Sequence, residues 1–509
     1  MLETHQDYDL VILTGVSQQN TDYQVPAFEE VRRYSNVDPL IDFFRPIGPY
    51  RIRTFLEAHG YSTRVIDYVP FFTSDQLDKA LSASITSKTK VLALSTTFTA
   101  FTPDVFTIFN DIVLKYKSMY PNLKVVCAGP NPTTTLMSCI DMYIIGYGEN
   151  AILSVLNNTA NKVRSFNDIP LLNGTFDYGF PNEYSTKWLP EDRLHNTDVL
   201  SLEVGRGCIF KCAFCAFPLN GKKKNDFIRD AFELRDELMY NYETFGITRY
   251  NLTDDTFNDS SYKLEHLLKV FSDLPFDLRF TAFVKPELVV VFPEQIELLA
   301  ELGMESGSWG IESLSGDTRK VIHKGYDYFD KIAPAMTEIK EKAIKRGVKH
   351  YTNFYNMIVG LPGESEDTIL KHHEYLCNSY ECDGMDFFAL GINNKNTQNT
   401  PLSPIDQNPE KYGYKVRPTP NPTIMVWRNE HMTTKRAQTL AKEIMVESYK
   451  HTKLSGWASS NLWNTGFNVE RHFEESTGKW MDISQPSVDE CDGNKRQIIN
   501  SYIEEYTNV

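Results

Sequence analysis

The chain has 509 residues, 41% of them hydrophobic and 23% charged, with a formal net charge of −15. That length is too great for one hydrophobic core, so two or three domains are expected, and the acidic balance argues against nucleic-acid binding through a generally basic surface. No apolar run approaches the roughly 20 residues of a membrane-spanning helix, and the start Met1–Asp7 lacks the basic and apolar regions of a secretion signal; no membrane partner is expected, and the cytoplasm is the expected compartment.

Short apolar runs at Leu10–Leu13, Thr63–Ile66, Val91–Leu94, Leu123–Cys127 and Met142–Ile145 alternate with segments of helical spacing such as Tyr50–Ala58 and Val105–Tyr116. Continuous apolar strands between helices predict a parallel sheet covered on both faces. Thr102-Pro103-Asp104 reads as a helix start. Residues 1–150 are therefore expected to form a doubly wound, Rossmann-like α/β domain, with ligands beyond the C-terminal strand ends. Thr14-Gly15-Val16, Ser95-Thr96-Thr97, Ala128-Gly129-Pro130 and Gly146-Tyr147-Gly148-Glu149 fall there.

Residues 151–197, rich in Asn, Pro and Gly, read as a linker. A second alternating series has strands near 199–204, 248–253, 278–283, 307–312, 350–359 and 385–390, and a helix over Phe227–Phe245 closed by Gly246. Six strand–helix repeats over 198–400 predict a (β/α)6 partial TIM barrel with its chemistry at the C-terminal strand ends. Residues 401–509 are expected to form a mostly helical and irregular extension over the barrel mouth. It contains a helix at Thr433–Lys450, and Trp427, Trp457, Trp463 and Trp480 belong to its core or line the pocket.

Eight cysteines in so long a chain do not make a disulfide scaffold. Five are scattered, at Cys127, Cys139, Cys377, Cys382 and Cys491. The other three stand together in Gly205-Arg-Gly-Cys208-Ile-Phe-Lys-Cys212-Ala-Phe-Cys215, just after the first strand of the second series. Three thiolates on one tight loop can hold three irons of a [4Fe–4S] cluster and leave the fourth iron open. Structural zinc takes four ligands, and neither a fourth Cys nor a His lies at a suitable offset; His195, across a strand, reads as a surface residue.

Further segments follow at successive strand ends: Leu252-Thr-Asp254-Asp255-Thr-Phe257, Lys285, Trp309-Gly-Ile-Glu312-Ser313, Lys324-Gly325, and Ile358-Val-Gly360-Leu361-Pro362-Gly-Glu364 before the helix start Ser365-Glu366-Asp367. Carboxylates at a strand end suit an ammonium ligand, although an Asp-Asp pair alone is more often a turn or cap. Glu and Ser can hydrogen-bond hydroxyls, and glycines permit close backbone approach.

In that order, these segments resemble a radical S-adenosylmethionine (SAM) domain over 199–400, and residues 1–400 resemble the cobalamin-binding subgroup of that superfamily. The resemblance implies a [4Fe–4S] cluster on Cys208, Cys212 and Cys215. It also implies SAM contacts from Phe214 at the adenine, Asp254 or Asp255 at the amino group, Lys285 at the carboxylate, Glu312 and Ser313 at the ribose, and Gly360, Leu361 and Pro362 beside the adenine. In the first domain it rests on Gly48-Pro-Tyr-Arg-Ile-Arg-Thr-Phe-Leu56, the following Gly60-Tyr61, and Asp141 through Glu149. It implies a cobalamin site at Ser95, Thr96, Gly129 and Gly148, with the loop from Thr14 to Asn20 facing cobalt. No Asp-x-His-x-x-Gly segment supplies a lower cobalt ligand.

The implied function is a cobalamin-dependent radical SAM methyltransferase acting on an unactivated carbon of a small-molecule or peptide substrate, with flavodoxin or ferredoxin as electron donor. A methylthiotransferase is disfavoured because the first domain lacks that family's three-cysteine set. The alternatives are a radical SAM enzyme that rearranges, cyclises or oxidises without methyl transfer, and a metal-binding interaction protein that keeps the fold without turnover.

Overall fold

The computed structural model describes residues 7–15, 45–97, 103–130, 132, 137–183, 185–196, 198–348, 351–395, 401–419, 424–452, 473–474, 479–480, 497, 499–504 and 507. Val16–Asn20, Thr102, Asn131, Trp457, Trp463 and Cys491 lie outside them. The chain divides into two compact units, one comprising Met1–Tyr23, Ile41–His195 and Glu490–Val509, the other Gln24–Leu40 and Asn196–Asp489.

In the first unit, β1 (Leu10–Leu13), β2 (Thr63–Ile66), β3 (Val91–Ser95), β4 (Lys124–Gly129), β5 (Met142–Ile145), β6 (Arg164–Phe166) and β7 (Ile169–Asn173) form one sheet in the order β2-β1-β3-β4-β5-β7-β6. All neighbours are parallel except the β6–β7 hairpin. β1 is buried along its whole length, as its unbroken apolar sequence requires of a central strand covered on both faces. After β1 the chain goes to β2 on one side and then to β3 on the other. This reversal opens a crevice at the C-terminal ends of β1 and β3, the usual ligand position in such sheets.

Two boundaries differ from the sequence expectation. The 151–197 segment is no linker: it contains most of the helix Glu149–Leu156 and both strands of the β6–β7 hairpin, which extends the sheet. The extension also does not stay beyond the barrel. Ile499, Tyr502 and Ile503 lie in the first unit's core beside Val11, Leu13, Ile66 and Leu94, and the Asp67 backbone N–H donates to the Tyr502 hydroxyl at 2.9 Å.

The second unit is built on β8 (Leu200–Leu202), β9 (Arg249–Leu252), β10 (Arg279–Val284), β11 (Met304–Glu312), β12 (Thr352–Val359) and β13 (Gly384–Ala389). Each lies parallel beside its predecessor, as in a partial barrel. Tyr250, Trp309, Tyr355 and Phe387 point outward toward the helices and are buried, while the alternating positions Asn251, Ser308, Asn356 and Asp386 face the lumen and are half-buried. The helix expected at Phe227 begins at Ala231, where the Asp230 carboxylate accepts from the Phe232 and Glu233 N–H groups. Phe227 precedes it in a left-handed conformation, φ 57°.

The extension opens with β14 (Ile392–Asn393), β15 (Lys415–Pro418) and β16 (Ile424–Arg428) in a small antiparallel sheet that sequence reading left irregular. The helix Thr434–Thr452 follows. Trp427, on β16, is buried and donates to the Leu390 carbonyl at 2.8 Å.

Candidate active site of the partial barrel

The loop after β8 is held at both ends. Arg206 N–H donates to the Phe227 carbonyl, Arg229 N–H to the Val204 carbonyl, and Lys222 Nζ to the Arg206 carbonyl. Gly207 turns the chain at φ +76°, where a Cβ would stand 2.6 Å from the Leu219 Cβ; only glycine meets both demands. Its N–H donates to the Asp255 carboxylate at 2.9 Å.

The three thiols are half-buried, each with a different polar group beside it. Cys208 Sγ lies 3.0 Å from the Thr256 hydroxyl, Cys215 Sγ accepts from Asn220 Nδ2 at 3.1 Å, and Cys212 Sγ lies 3.8 Å from Lys285 Nζ. Burial pushes the Cys208 and Cys215 thiols up. No three His, Cys, Asp or Glu groups among the described residues converge to share a single metal ion. Thiols that each bind a separate iron of a cluster need no such convergence, and the three sulfurs with donors around them suit a sulfur-rich anionic cluster. The residues therefore fit [4Fe–4S].

The acidic pair after β9 has two different roles. Asp254 is fully buried; it accepts from the Thr256 N–H and pairs with Lys263 at 3.1 Å, so its oxygens are spent inside the protein. Asp255 supports the cysteine loop, and burial together with the neighbouring Asp254 pushes its carboxyl up to about 7. Of the two, Asp254 is the turn-and-ion-pair residue that an Asp-Asp sequence commonly makes.

An ion chain continues from the thiols. Lys285 Nζ pairs with Glu287 at 3.1 Å and stands 4.5 Å from the centre of the Phe210 ring, Glu287 also pairs with Arg319, and Lys324 pairs with Glu312 at 3.3 Å. Burial and the Lys324 charge hold Lys285 below the ordinary lysine range; burial pushes the Glu312 carboxyl up against the pull of Lys324. Glu312 has φ +66°, an uncommon conformation for a non-glycine residue at a strand end. Ser313 Oγ donates to Glu364 at 2.6 Å.

Gly360, at φ +96°, has no room for a Cβ, which would lie 2.4 Å from the Trp427 ring. Its carbonyl accepts from the Tyr414 hydroxyl at 2.7 Å. Leu361 is fully buried, the Pro362 carbonyl accepts from Thr318 Oγ1 at 3.0 Å, and Phe214 is half-buried in the cysteine loop. Sequence reasoning missed Thr256, Asn220, Lys263, Glu287, Arg319 and Glu364. Their signals were weak, because each is an ordinary polar residue, and Thr256, Arg319 and Glu364 meet partners remote in sequence.

In the first unit, Thr14, Ser95, Thr96 and Gly129 stand at C-terminal ends of β1, β3 and β4, and Gly148 precedes the helix Glu149–Leu156. Thr14 Oγ1 is buried with no hydrogen-bond partner among the described residues. Thr96 Oγ1 donates to the Ala128 carbonyl, and a Cβ on Gly129 would stand 2.4 Å from that same oxygen, so Thr96 itself fills the space beside Gly129. Gly148 is buried against Ile52.

Residues 202–376 match the Radical SAM superfamily model. The match falls on the partial barrel, from the end of β8 into the helix Glu366–Asn378. A curated relative, an uncharacterized methyltransferase of Synechocystis sp., is 25% identical over 185 residues, which are 35% of this chain and 33% of that protein. The chain thus aligns with about a third of that relative's length.

Among solved structures, the radical SAM methyltransferase TsrM of Kitasatospora setae, with cobalamin and a [4Fe–4S] cluster bound, superposes with TM-score 0.56 at 15% identity, over 82% of this chain and 78% of its own. The cobalamin-dependent radical SAM enzyme OxsB, with aqua-cobalamin and SAM bound, does so with TM-score 0.56 at 11% identity, over 98% and 80%. At those identities the likeness is one of fold. No helix among the described residues is long and apolar enough to cross a membrane.

Proposed function

We propose that this enzyme is a cobalamin-dependent radical SAM methyltransferase acting on an unactivated carbon. The observation that carries the radical SAM part is the thiol triad, on one glycine-turned loop at the C-terminal end of β8, continuous with the ion chain Lys285–Glu287–Arg319. When bound, the cluster supplies the electron that splits SAM into methionine and a 5′-deoxyadenosyl radical, and cobalamin supplies a methyl carrier.

In this reading Cys208, Cys212 and Cys215 hold the cluster, and Asp255 keeps their loop in place through the Gly207 N–H. Lys285, beside Cys212, offers its charge to the SAM carboxylate. Lys324 and Glu364 hold Glu312 and Ser313 in position for ribose hydroxyls. The Gly360–Pro362 backbone and Phe214 flank the adenine. Asp254 organises the turn through Thr256 and Lys263, leaving the amino group of SAM to Asp255 or to backbone carbonyls.

Cobalamin is supported by the crevice between β1 and β3 and by the unspent Thr14 hydroxyl at its edge; Ser95, Thr96, Gly129 and Gly148 border the same strand ends. The two structural neighbours bind cobalamin by their own descriptions. A flavodoxin or ferredoxin would supply electrons to a small-molecule or peptide substrate's enzyme in the cytoplasm.

The test is anaerobic reconstitution with and without cobalamin, followed by SAM, reductant and host extract. Formation of 5′-deoxyadenosine together with S-adenosylhomocysteine, the latter only with cobalamin, is the expected result. Deoxyadenosine alone, unchanged by cobalamin, would reject methyl transfer in favour of a rearranging, cyclising or oxidising enzyme.

A further inference from the structure

The lumenal face of the barrel carries a polar row. In the pairing register Gly310 stands beside Asn356 on β12, and Asn356 beside Asp386 on β13. Asn356 Nδ2 donates to Ser308 Oγ at 2.9 Å, which fixes this face as the lumenal one, since the intervening Phe387 packs its ring 5.9 Å from His373 on the helix Glu366–Asn378. The row lies two residues before Glu312, and so just beneath the segment assigned above to the ribose.

The acidic groups at the top of the barrel are almost all engaged. Glu203 pairs with Arg206, Asp254 with Lys263, Glu287 with Lys285 and Arg319, Glu312 with Lys324, and Asp255 accepts from Gly207. Asp386 differs. It makes no side-chain hydrogen bond or ion pair among the described residues, and burial alone pushes its carboxyl up to about 7. It is half-buried and faces the lumen, beside Asn356. Two residues on, nearer the mouth and on the same face, Phe388 exposes 49% of its surface. On β10, half-buried Phe283 stands beside Ser308 in the register and so also faces the lumen.

An uncompensated carboxylate in a desolvated site is costly unless something with a positive charge or a strong donor joins it. Exposed aromatic surface in a concave, otherwise polar site has a similar meaning for an apolar ligand. Resting on the radical SAM reading of the barrel, we infer that Asp386 is the substrate-anchoring residue, and that the substrate carries a basic nitrogen joined to an aromatic or other flat apolar body. The nitrogen pairs with Asp386, and the apolar body lies against Phe388 and Phe283 under the SAM ribose. Asp386 is thus a specificity residue; no bond is made or broken at its carboxylate.

Benzylamine and benzyl alcohol test this as probes that differ only at the polar atom. Both are measured by equilibrium dialysis against the anaerobically reconstituted enzyme with SAM bound, for wild type and D386N. The wild type should bind benzylamine about tenfold or more tightly than benzyl alcohol, the worth of one charge-assisted hydrogen bond. D386N should lose that preference while keeping its iron content and its affinity for benzyl alcohol. Equal binding of the two probes by wild type overturns the inference without recourse to any variant. An unchanged preference in D386N overturns it as well. SAM cleavage, assayed on the same samples, separates this outcome from failure of the radical SAM reading, which predicts deoxyadenosine whichever probe binds.

Discussion

Asp386 shows how a single side chain can work against the fold that carries it. Its carboxyl is held near 7, whereas in the unfolded chain it titrates near the ordinary value of about 3.9. Between those values the folded chain keeps a proton that the unfolded chain has released. The folded-state pKa is raised, so the contribution favours folding below about pH 4 and is lost as pH rises toward 7. D386N has no such proton to lose. Its urea midpoint, measured against that of wild type, should therefore improve between about pH 4 and pH 7 and level off above that. A difference that stays constant over that interval would mean that the carboxyl has a partner. By contrast, Asp254 is compensated by Lys263, and a sequence shows only two adjacent aspartates with no sign of which is engaged.

At the scale of elements, the barrel and its extension meet where Trp427 of β16 covers Gly360 at the end of β12. G360A must accept a left-handed backbone with a side chain and a Cβ 2.4 Å from the Trp427 ring. It should lower unfolding free energy by about 2–4 kcal/mol. Gly391 has nothing within 4 Å of a Cβ and no positive φ, so G391A should leave the midpoint unchanged. Equal midpoints for the two variants would show that the contact carries no energy.

The same elements show what was legible in sequence. β1 to β5 were readable because a covered parallel strand is continuously apolar, the barrel strands from their regular alternation with helical segments, and Cys208–Cys215 because a cluster loop needs close spacing. β6 and β7 were not, since Arg164–Phe166 and Ile169–Asn173 are too short and mixed to show a period. Gly360 could be recognised as a close-approach glycine, but the indole it accommodates lies 67 residues away, in a Pro- and Asn-rich stretch without periodicity. Lys324 was readable as a position and became a partner of Glu312 only once the fold brought them together.

On the scale of the molecule, the chain's end belongs to the unit at its start. Tyr502 is buried in the first unit's core, stands 5.3 Å from the Tyr68 ring and accepts from the Asp67 N–H. Y502A should destabilise that unit by about 3–5 kcal/mol, the cost of emptying a large aromatic site. In calorimetry the transition of the first unit should fall while that of the barrel holds. A uniform shift of both, or none, would mean that Tyr502 is not part of that core. Contacts across such a sequence separation leave no local pattern, which is why residues 401–509 read as one extension.

The central claim is that Cys208, Cys212 and Cys215 hold a [4Fe–4S] cluster whose open iron receives SAM. Iron and sulfide analysis joined to electron paramagnetic resonance of the reduced, reconstituted enzyme tests it most directly. The account predicts about four irons and four sulfides per chain, a spectrum that changes when SAM is added, and loss of both the spectrum and SAM cleavage in C212A. A spectrum indifferent to SAM, or full iron content in C212A, would contradict it.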